Sequence, residues 1–196
     1  MGITLTAVLV AIAATPLAAA GDPSKTAAAA GDSPKTAAAA AGPPDVIVNN
    51  IAVVRMEHDR LNRGDWQGAA ALYAEDARNH GRPVGRAGIA KVLQDIYRTF
   101  PDWRMEIVDL VAAGDTVAVR CKVSGTHEGV GRIPVNGGML VGIAPTHRHF
   151  EVQHIHWYTV RNGRIVEHYA NRDDLDMMRQ LGLLPPLGAA PPAPPK

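Results

Sequence analysis

The residues best suited to chemistry in this chain are its histidines, of which there are eight among 196 residues. Four of them fall within ten positions: His147, His149, His154 and His156. Imidazole is the commonest metal ligand, and it exchanges protons readily near neutral pH. On an unbroken strand the first pair points to one side and the second pair to the other, so four ligands do not converge without a bulge. A cupin-like site also needs a carboxylate a few residues beyond its paired histidines, where this chain has Tyr158, Thr159 and Val160. We therefore predict no bound metal.

A group of carboxylates, Asp173, Asp174 and Asp176, surrounds the start of a predicted last helix. An aspartate at that place accepts hydrogen bonds from free backbone N–H groups and complements the helix dipole. Taken on the residues alone, capping is the leading interpretation of all three.

Composition and motifs exclude several classes of function. The formal net charge of +1 comes without a basic stripe, so we expect no nucleic-acid partner. The sequence has no G-x-S-x-G elbow, no Walker loop and no C-x-x-C pair. Its single cysteine, Cys121, falls at an apolar position of a predicted strand, which favours a buried, unreactive thiol.

The elements that must position these residues begin with helices. Apolar spacing predicts a long first helix over residues 45–64, with Gly64 ending it. Asp65 is expected to cap a short second helix that extends to Tyr73, and residues 79–83 are expected to form a loop. A third helix is predicted over residues 86–100. By this interpretation three helices precede any strand.

The pattern then changes to period two, which predicts antiparallel hairpins. Runs at 105–111 and 116–124 flank one turn, and runs at 149–160 and 164–171 flank Asn162-Gly163, a strong hairpin signal. A short last helix is predicted over residues 175–181. Helices followed by hairpins indicate an α+β domain with helices packed on one side of an antiparallel or mixed sheet.

The two ends of the chain are excluded from the fold. Residues 1–20 have the apolar stretch and small-residue cleavage pattern of a signal peptide, so we expect an exported protein with no stable membrane span after cleavage. Residues 21–44 form an Ala- and Pro-rich spacer with a repeated ten-residue block, and residues 185–196 form a Pro-rich tail. The folded domain is predicted over residues 45–184.

Five segments of this domain resemble SnoaL-like polyketide cyclases, also called ester cyclases, in order and approximate spacing. They are Tyr73-Ala74-Glu75-Asp76 with Asn79-His80, Phe100-Pro101-Asp102-Trp103, Gly125-Thr126-His127-Glu128-Gly129, Asn162 to Tyr169, and Asp173-Asp174-Leu175 with Gln180-Leu181-Gly182. The resemblance implies the nuclear transport factor 2-like fold, a cone in which a strongly curved sheet and helices enclose a pocket. It also implies closure of a polyketide ring by an intramolecular aldol reaction, without metal or organic cofactor.

The resemblance assigns roles to particular residues. Asp173 matches the family's acid/base aspartate, and His156 matches a pocket-facing position, so both are predicted to be catalytic. Period two puts His154 on the same strand face as His156. His80 resembles another pocket residue.

Three further residues are predicted to contact substrate, and others to be structural. Trp103 and Tyr169 would supply an aromatic wall, and Arg120 is a candidate whose strand face the sequence leaves open between pocket and solvent. The histidines expected to have structural roles are His58, His127 and His168.

Two alternatives remain open on the sequence. The same fold hosts dehydratases, isomerases and epoxide hydrolases, which fold analogy alone does not separate. The export signal also favours a binding module that captures a small apolar molecule and catalyses nothing. Proteins of this fold commonly dimerise through the outer sheet face, so the resemblance implies a homodimer.

Overall fold

The computed structural model describes residues 42–134 and 140–185. Its helices are α1 (Pro44–Asn62), α2 (Trp66–Ala70), α3 (Gly85–Thr99) and α4 (Asp174–Gln180). Its strands are β1 (Tyr73–Asn79), β2 (Arg82–Pro83), β3 (Arg104–Ala113), β4 (Thr116–Thr126), β5 (His149–Arg161) and β6 (Arg164–Arg172). The predicted signal peptide, and nearly all of the predicted spacer and tail, lie outside the described residues.

The first two helices have the boundaries that their local sequence dictates. Pro44 begins α1, where its missing N–H costs nothing, and Gly64 follows the helix with a positive φ of 73°. Asp65 caps α2, since its carboxylate accepts a hydrogen bond from the Gly68 N–H at 2.9 Å. These predictions are confirmed.

One predicted helix extension is wrong. Tyr73 does not continue α2; it begins β1, so two strands precede α3. The residues of β1 have neither strict alternation nor many β-branched side chains, and they become a strand by pairing with β2 and β6. Arg82 and Pro83, predicted to be loop, form the short edge strand β2.

The six strands form one sheet in the order β2-β1-β6-β5-β4-β3. The β1–β6 pair is parallel and the other pairs are antiparallel, which confirms a mixed sheet. Register shifts interrupt β3–β4 between Ile107 and Asp109 and β5–β6 between Thr159 and Val160. Such bulges bend strands and increase their twist, which curves the sheet.

We call the sheet face that packs against α1 the inner face, and the opposite side the outer face. The predicted apolar face of β4 is confirmed as part of the core: Val117, Val119, Cys121 and Val123 are fully buried. Burial raises the pKa of the Cys121 thiol to about 12, which agrees with an unreactive role. Among the described residues, no helix has the length and apolar character needed to cross a membrane.

Candidate active site

The central part of the inner face of β5 carries polar side chains at three successive inward positions. His154, His156 and Tyr158 are buried, with exposures of 3%, 7% and 1%. Strand pairing with β6 places His168 opposite Tyr158, and Arg172 opposite His154. Directly paired residues share a sheet face, so these five side chains form one polar group in the interior.

Three of the histidines form a hydrogen-bonded chain whose direction is fixed at one end. Asn79 Oδ1 accepts from His168 Nδ1 at 3.2 Å, which leaves His168 Nε2 as an acceptor. His156 Nδ1 then donates to His168 Nε2 at 2.9 Å, and His154 Nδ1 donates to His156 Nε2 at 3.4 Å. The chain ends at His154 Nε2, an unprotonated buried nitrogen with no hydrogen-bond partner within the described residues.

Helix α1 brings a carboxylate to the same region. Glu57 is 2% exposed and accepts hydrogen bonds from the hydroxyls of Tyr73, at 3.0 Å on Oε1, and Tyr158, at 3.2 Å on Oε2. Burial raises the pKa of Glu57 to about 7, although the two hydroxyls act in the opposite direction. The carboxyl group can therefore change its protonation state near neutral pH.

His58, the next residue of α1, completes this arrangement without forming an ion pair. Its Nε2 lies 3.8 Å from the Glu57 carboxylate and 3.2 Å from the Tyr158 oxygen. Burial lowers the pKa of His58 to about 4, so the ring is neutral at pH 7 and donates its Nε2–H to Tyr158. The structural role predicted for His58 fits these contacts.

The electrostatics of the site keep all of its histidines neutral. Burial lowers the pKa of His154 and of His168 to about 3, and it lowers that of His156 as well. The positive charge of Arg172 adds to the effect at each ring, although Asp174 lies 3.5 Å from its guanidinium. Neutral rings present lone pairs and N–H groups but hold no charge.

An aromatic surface adjoins the unpaired nitrogen of His154. The ring of Trp103 lies 6.4 Å from that of His154, measured between centroids, and it also contacts Phe100 and Phe150. The role of Trp103 as an aromatic wall stays a prediction.

Asp173 occupies the N-cap of α4. It is exposed, and its carboxylate accepts a hydrogen bond from the Asp176 N–H at 3.1 Å. It follows β6 directly, one residue after Arg172. The acid/base role predicted for Asp173 stays a prediction.

Of the three other predicted site residues, Arg120 and Tyr169 lie away from the histidine chain and His80 contacts it. Arg120 is exposed on the outer face of β4, and Tyr169 is 42% exposed on the outer face of β6. His80 is an exposed turn residue with a positive φ of 51°, and its ring contacts Tyr169 and His168 with centroids 5.5 Å and 6.4 Å apart. Of these three, only His80 touches the polar group.

Sequence reasoning missed several members of the polar group. Tyr158 follows His154 and His156 at the same period of two, so alternation alone could have found it. Glu57 stands within the apolar stripe of α1, and a carboxylate in such a stripe is a signal for a buried functional group. His168 had no comparable signal, because only strand pairing brings it to His156.

Nothing in the described residues forms a cluster of histidine, cysteine and carboxylate groups arranged to hold a metal ion. The described residues also form two surface clefts, and neither is lined by residues of the histidine chain. One lies between α1 and the β5–β6 turn, and the second lies beside α2 and α3.

Comparisons with known proteins extend over the domain. The family described as SnoaL-like polyketide cyclase matches residues 51–181. No curated protein sequence matches the chain. The structure of IdmH from Streptomyces antibioticus, a proposed polyketide cyclase, is similar at 33% identity and a TM-score of 0.55, covering 68% of this chain and 98% of that one.

Two further solved structures show the fold at lower identity. AclR from Streptomyces galilaeus, a proposed hydroxylase, has 23% identity and a TM-score of 0.58, with 71% of this chain and 99% of that one covered. A SnoaL-like polyketide cyclase from Agrobacterium tumefaciens has 20% identity and a TM-score of 0.56, with 68% and 98% covered.

Proposed function

The chain belongs to the SnoaL-like polyketide cyclase family, and we propose that it moves a proton to and from a small, largely apolar carbonyl compound, as in intramolecular aldol cyclisation. That reaction needs a base that removes a proton next to a carbonyl and a donor that stabilises the oxygen anion. The inner face supplies unprotonated imidazole nitrogen and hydroxyl groups in a water-poor setting.

One observation carries this proposal: the histidine chain ends at His154 Nε2, which has no hydrogen-bond partner in the part of the chain that the structure describes, and the His154 ring lies beside Trp103. A buried acceptor without a partner is costly, and a bound ligand that donates to it would remove that cost. In this arrangement His154 contacts the substrate proton and His156 orients and supports His154. The aromatic rings at Trp103 suit a planar compound.

Asp173 keeps a proposed role as a second acid/base group. Its support is the match to the family motif. Its position one residue beyond Arg172 places it at the end of β6, next to the polar group but in solvent. Substitution by asparagine separates this role from capping, because asparagine caps a helix about as well as aspartate.

The proposal is tested with α-tetralone, an aromatic ketone, in deuterated buffer. Proton nuclear magnetic resonance follows exchange of the hydrogens next to the carbonyl. We expect the wild-type protein to accelerate exchange and His154→Gln to lower the rate by about 100-fold, the lower range for loss of an acid–base group. His149→Gln, on the exposed start of β5, is the matched control and should keep the rate. A wild-type rate equal to that of buffer, for this ketone and for larger aromatic ketones, would argue against the proposal.

A second candidate function is capture of a small molecule outside the cytoplasm, without catalysis. The signal-like sequence of residues 1–20 favours it, because ring closure in a cytoplasmic pathway needs no export. Mass spectrometry of ligands extracted from the purified mature protein distinguishes the two: one unchanged compound supports capture, and a substrate with its product supports catalysis. The exported location itself is a proposal that N-terminal sequencing of secreted protein would test.

We also propose that the protein forms a homodimer through the outer face of the sheet. That face exposes Ile155 and Trp157 of β5 and Tyr169 of β6, with Trp157 directly opposite Tyr169 in the strand register. Exposed aromatic and aliphatic side chains grouped on one face are typical of an interaction surface.

A further inference from the structure

The inner face poses a problem for any reaction that begins at His154. Burial lowers the pKa of His154 to about 3, so an imidazolium formed there at neutral pH would lose its proton at once. A useful base has a pKa near the working pH. The proton must therefore pass to another group if the reaction is to proceed.

We propose that a proton relay runs from His154 Nε2 through His156 and Tyr158 to the carboxylate of Glu57, which stores the proton taken from the substrate. This inference rests on the proposed function, and it adds a residue and a path that the family match does not supply. Glu57 acts through other groups, so it is a positioning and proton-storing residue.

The path consists of consecutive contacts. His154 Nδ1 and His156 Nε2 are 3.4 Å apart, His156 Nδ1 and the Tyr158 oxygen are 3.5 Å apart, and the Tyr158 oxygen and Glu57 Oε2 are 3.2 Å apart. The middle contact is the longest, at the limit of a hydrogen bond, so a small approach of Tyr158 to His156 would be needed during transfer.

The proton balance closes without an imidazolium. The substrate proton binds to His154 Nε2 while His154 Nδ1–H passes to His156 Nε2. His156 Nδ1–H leaves its hydrogen bond to His168 Nε2 and passes to the Tyr158 oxygen, and the original Tyr158 hydroxyl proton passes to Glu57 Oε2. Each histidine exchanges one tautomer for the other and stays neutral, which agrees with their lowered pKa values. The substrate keeps the electron pair of the broken C–H bond as an enolate, and Glu57 becomes neutral.

His168 favours a return of the hydrogen bonds to the direction that they have before proton transfer. After the transfer, His156 Nδ1 is an acceptor and faces His168 Nε2, also an acceptor, at 2.9 Å. Asn79 holds His168 in that tautomer. The repulsion between two lone pairs favours return of the proton along the same path to the product, where it protonates the new alkoxide.

The surroundings of Glu57 suit a group that gains and loses one proton. The titratable side chains that interact with it come from five elements, and they are His58 on α1, Tyr73 on β1, Tyr97 on α3, Cys121 on β4 and Tyr158 on β5. All of these are neutral at pH 7. Among the described residues no lysine or arginine forms an ion pair with Glu57, so nothing holds it permanently ionised.

The test is the pH profile of α-tetralone exchange in the full chain. We expect the wild-type rate to rise with pH through a midpoint of about 7, as Glu57 becomes a carboxylate. Glu57→Gln should lower the rate by about 100-fold and remove this rise of the rate with pH. Glu106→Gln, an exposed residue of β3, is the matched control and should leave rate and profile unchanged.

Two tyrosine variants provide readouts that a merely structural role would not move. Tyr73→Phe removes a hydrogen bond that lowers the pKa of Glu57. The midpoint of the rise of the rate with pH should therefore move to higher pH, while the maximum rate is kept. Tyr158→Phe breaks the path, so the rate should fall although an infrared carbonyl band of protonated Glu57 still titrates. That band is absent in Glu57→Gln. It reports the protonation state of the carboxyl group whether or not the protein is active.

The two proposals fail in different ways. If wild-type protein does not accelerate exchange, the proposed function is contradicted, and the relay that rests on it is contradicted as well. The infrared titration then reports only the protonation of Glu57. If wild-type protein is active and His154→Gln is not, but both Glu57→Gln and Tyr158→Phe keep the wild-type rate and profile, the relay is overturned and the proposed function stands.

Discussion

At the centre of strand β5, over residues 154–158, the two faces reverse the usual arrangement of a half-buried sheet. Antiparallel sheets normally place apolar side chains against the core and polar side chains in water. Here His154, His156 and Tyr158 are inside, whereas Ile155 and Trp157 are outside with 52% and 50% of their surfaces exposed. Burying polar groups costs free energy unless they are paired, so the inner face is organised for chemistry at the expense of stability. The outer face exposes apolar side chains, and it is the face that we propose forms the dimer.

The inner face is itself divided. On β4 it consists of Val117, Val119, Cys121 and Val123, and these side chains form a tightly packed core. On β5 and β6 the ends of this face also join that core, through Phe150, Val152, Val160 and Ile165. Its central part is polar and contains the histidine chain. The apolar half stabilises the domain and excludes water, which strengthens the electrostatic interactions in the polar half. A substitution in the apolar half should therefore change mainly the free energy of unfolding. A substitution in the polar half should change mainly the exchange rate.

The largest expected effect comes from interrupting the histidine chain. His156→Phe keeps a ring of similar size but removes both nitrogens, so His154 loses its connection to Tyr158. We expect exchange of α-tetralone hydrogens to slow by about 100-fold, as for His154→Gln, because His154 loses the path for its proton. Ile155→Thr, one residue away on the outer face, should keep the rate. Equal losses in the two variants would remove the distinction between the faces.

A smaller effect is expected on stability as a function of pH. Because folding raises the pKa of Glu57 from 4.5 to about 7, the native state binds a proton more tightly than the unfolded chain. The contribution is favourable below the unfolded value and is lost as pH rises through the folded value, a difference of about 3 kcal/mol.

Urea unfolding of wild-type and Glu57→Gln proteins at pH about 5 and about 8 measures this difference. The comparison of the two proteins cancels the contributions of the histidines, whose lowered pKa values act in the acid range. Wild-type protein should lose stability relative to the variant as pH rises. If the difference between their free energies of unfolding is the same at both pH values, the pKa of Glu57 is not raised by folding.

On the outer face the expected effect is on association alone. Trp157→Lys places a charge in the proposed interface, and we expect the dissociation constant of the dimer to rise by about 10- to 100-fold. Sedimentation velocity measures the change. Stability of the isolated domain should alter little, because half of the Trp157 surface is already in water. A monomeric wild-type protein at high concentration would contradict the proposed dimer.

The smallest effect concerns Asp173. Loss of the N-cap hydrogen bond in Asp173→Ala should destabilise the domain by about 1 kcal/mol, whereas Asp173→Asn should be neutral in stability. Thermal unfolding measures both. If Asp173→Asn also keeps the exchange rate, Asp173 is a cap only; a fall in rate at unchanged stability supports its acid/base role.

Local signals in the sequence determined most of the elements. The apolar stripe and Gly64 bounded α1, the Asp65 carboxylate capped α2, and Asn162-Gly163 turned the β5–β6 hairpin, because each depends on contacts within a few residues. Tyr73 shows the limit of this reasoning. Its strand exists because β6 lies beside it, and that pairing joins segments separated by about ninety residues.

The histidines can be judged in the same way. Alternation along β5 determined that His154 and His156 share a face, since side chains of a strand alternate by covalent geometry. The sequence also determined that Cys121 is buried. Only the tertiary structure decided that His168, Tyr158 and Glu57 meet them, and that the histidine chain ends at His154 Nε2 without a partner among the described residues. Hydrogen-bond direction and desolvation depend on neighbours that folding brings from β1, β6 and α1, and no local pattern records those neighbours.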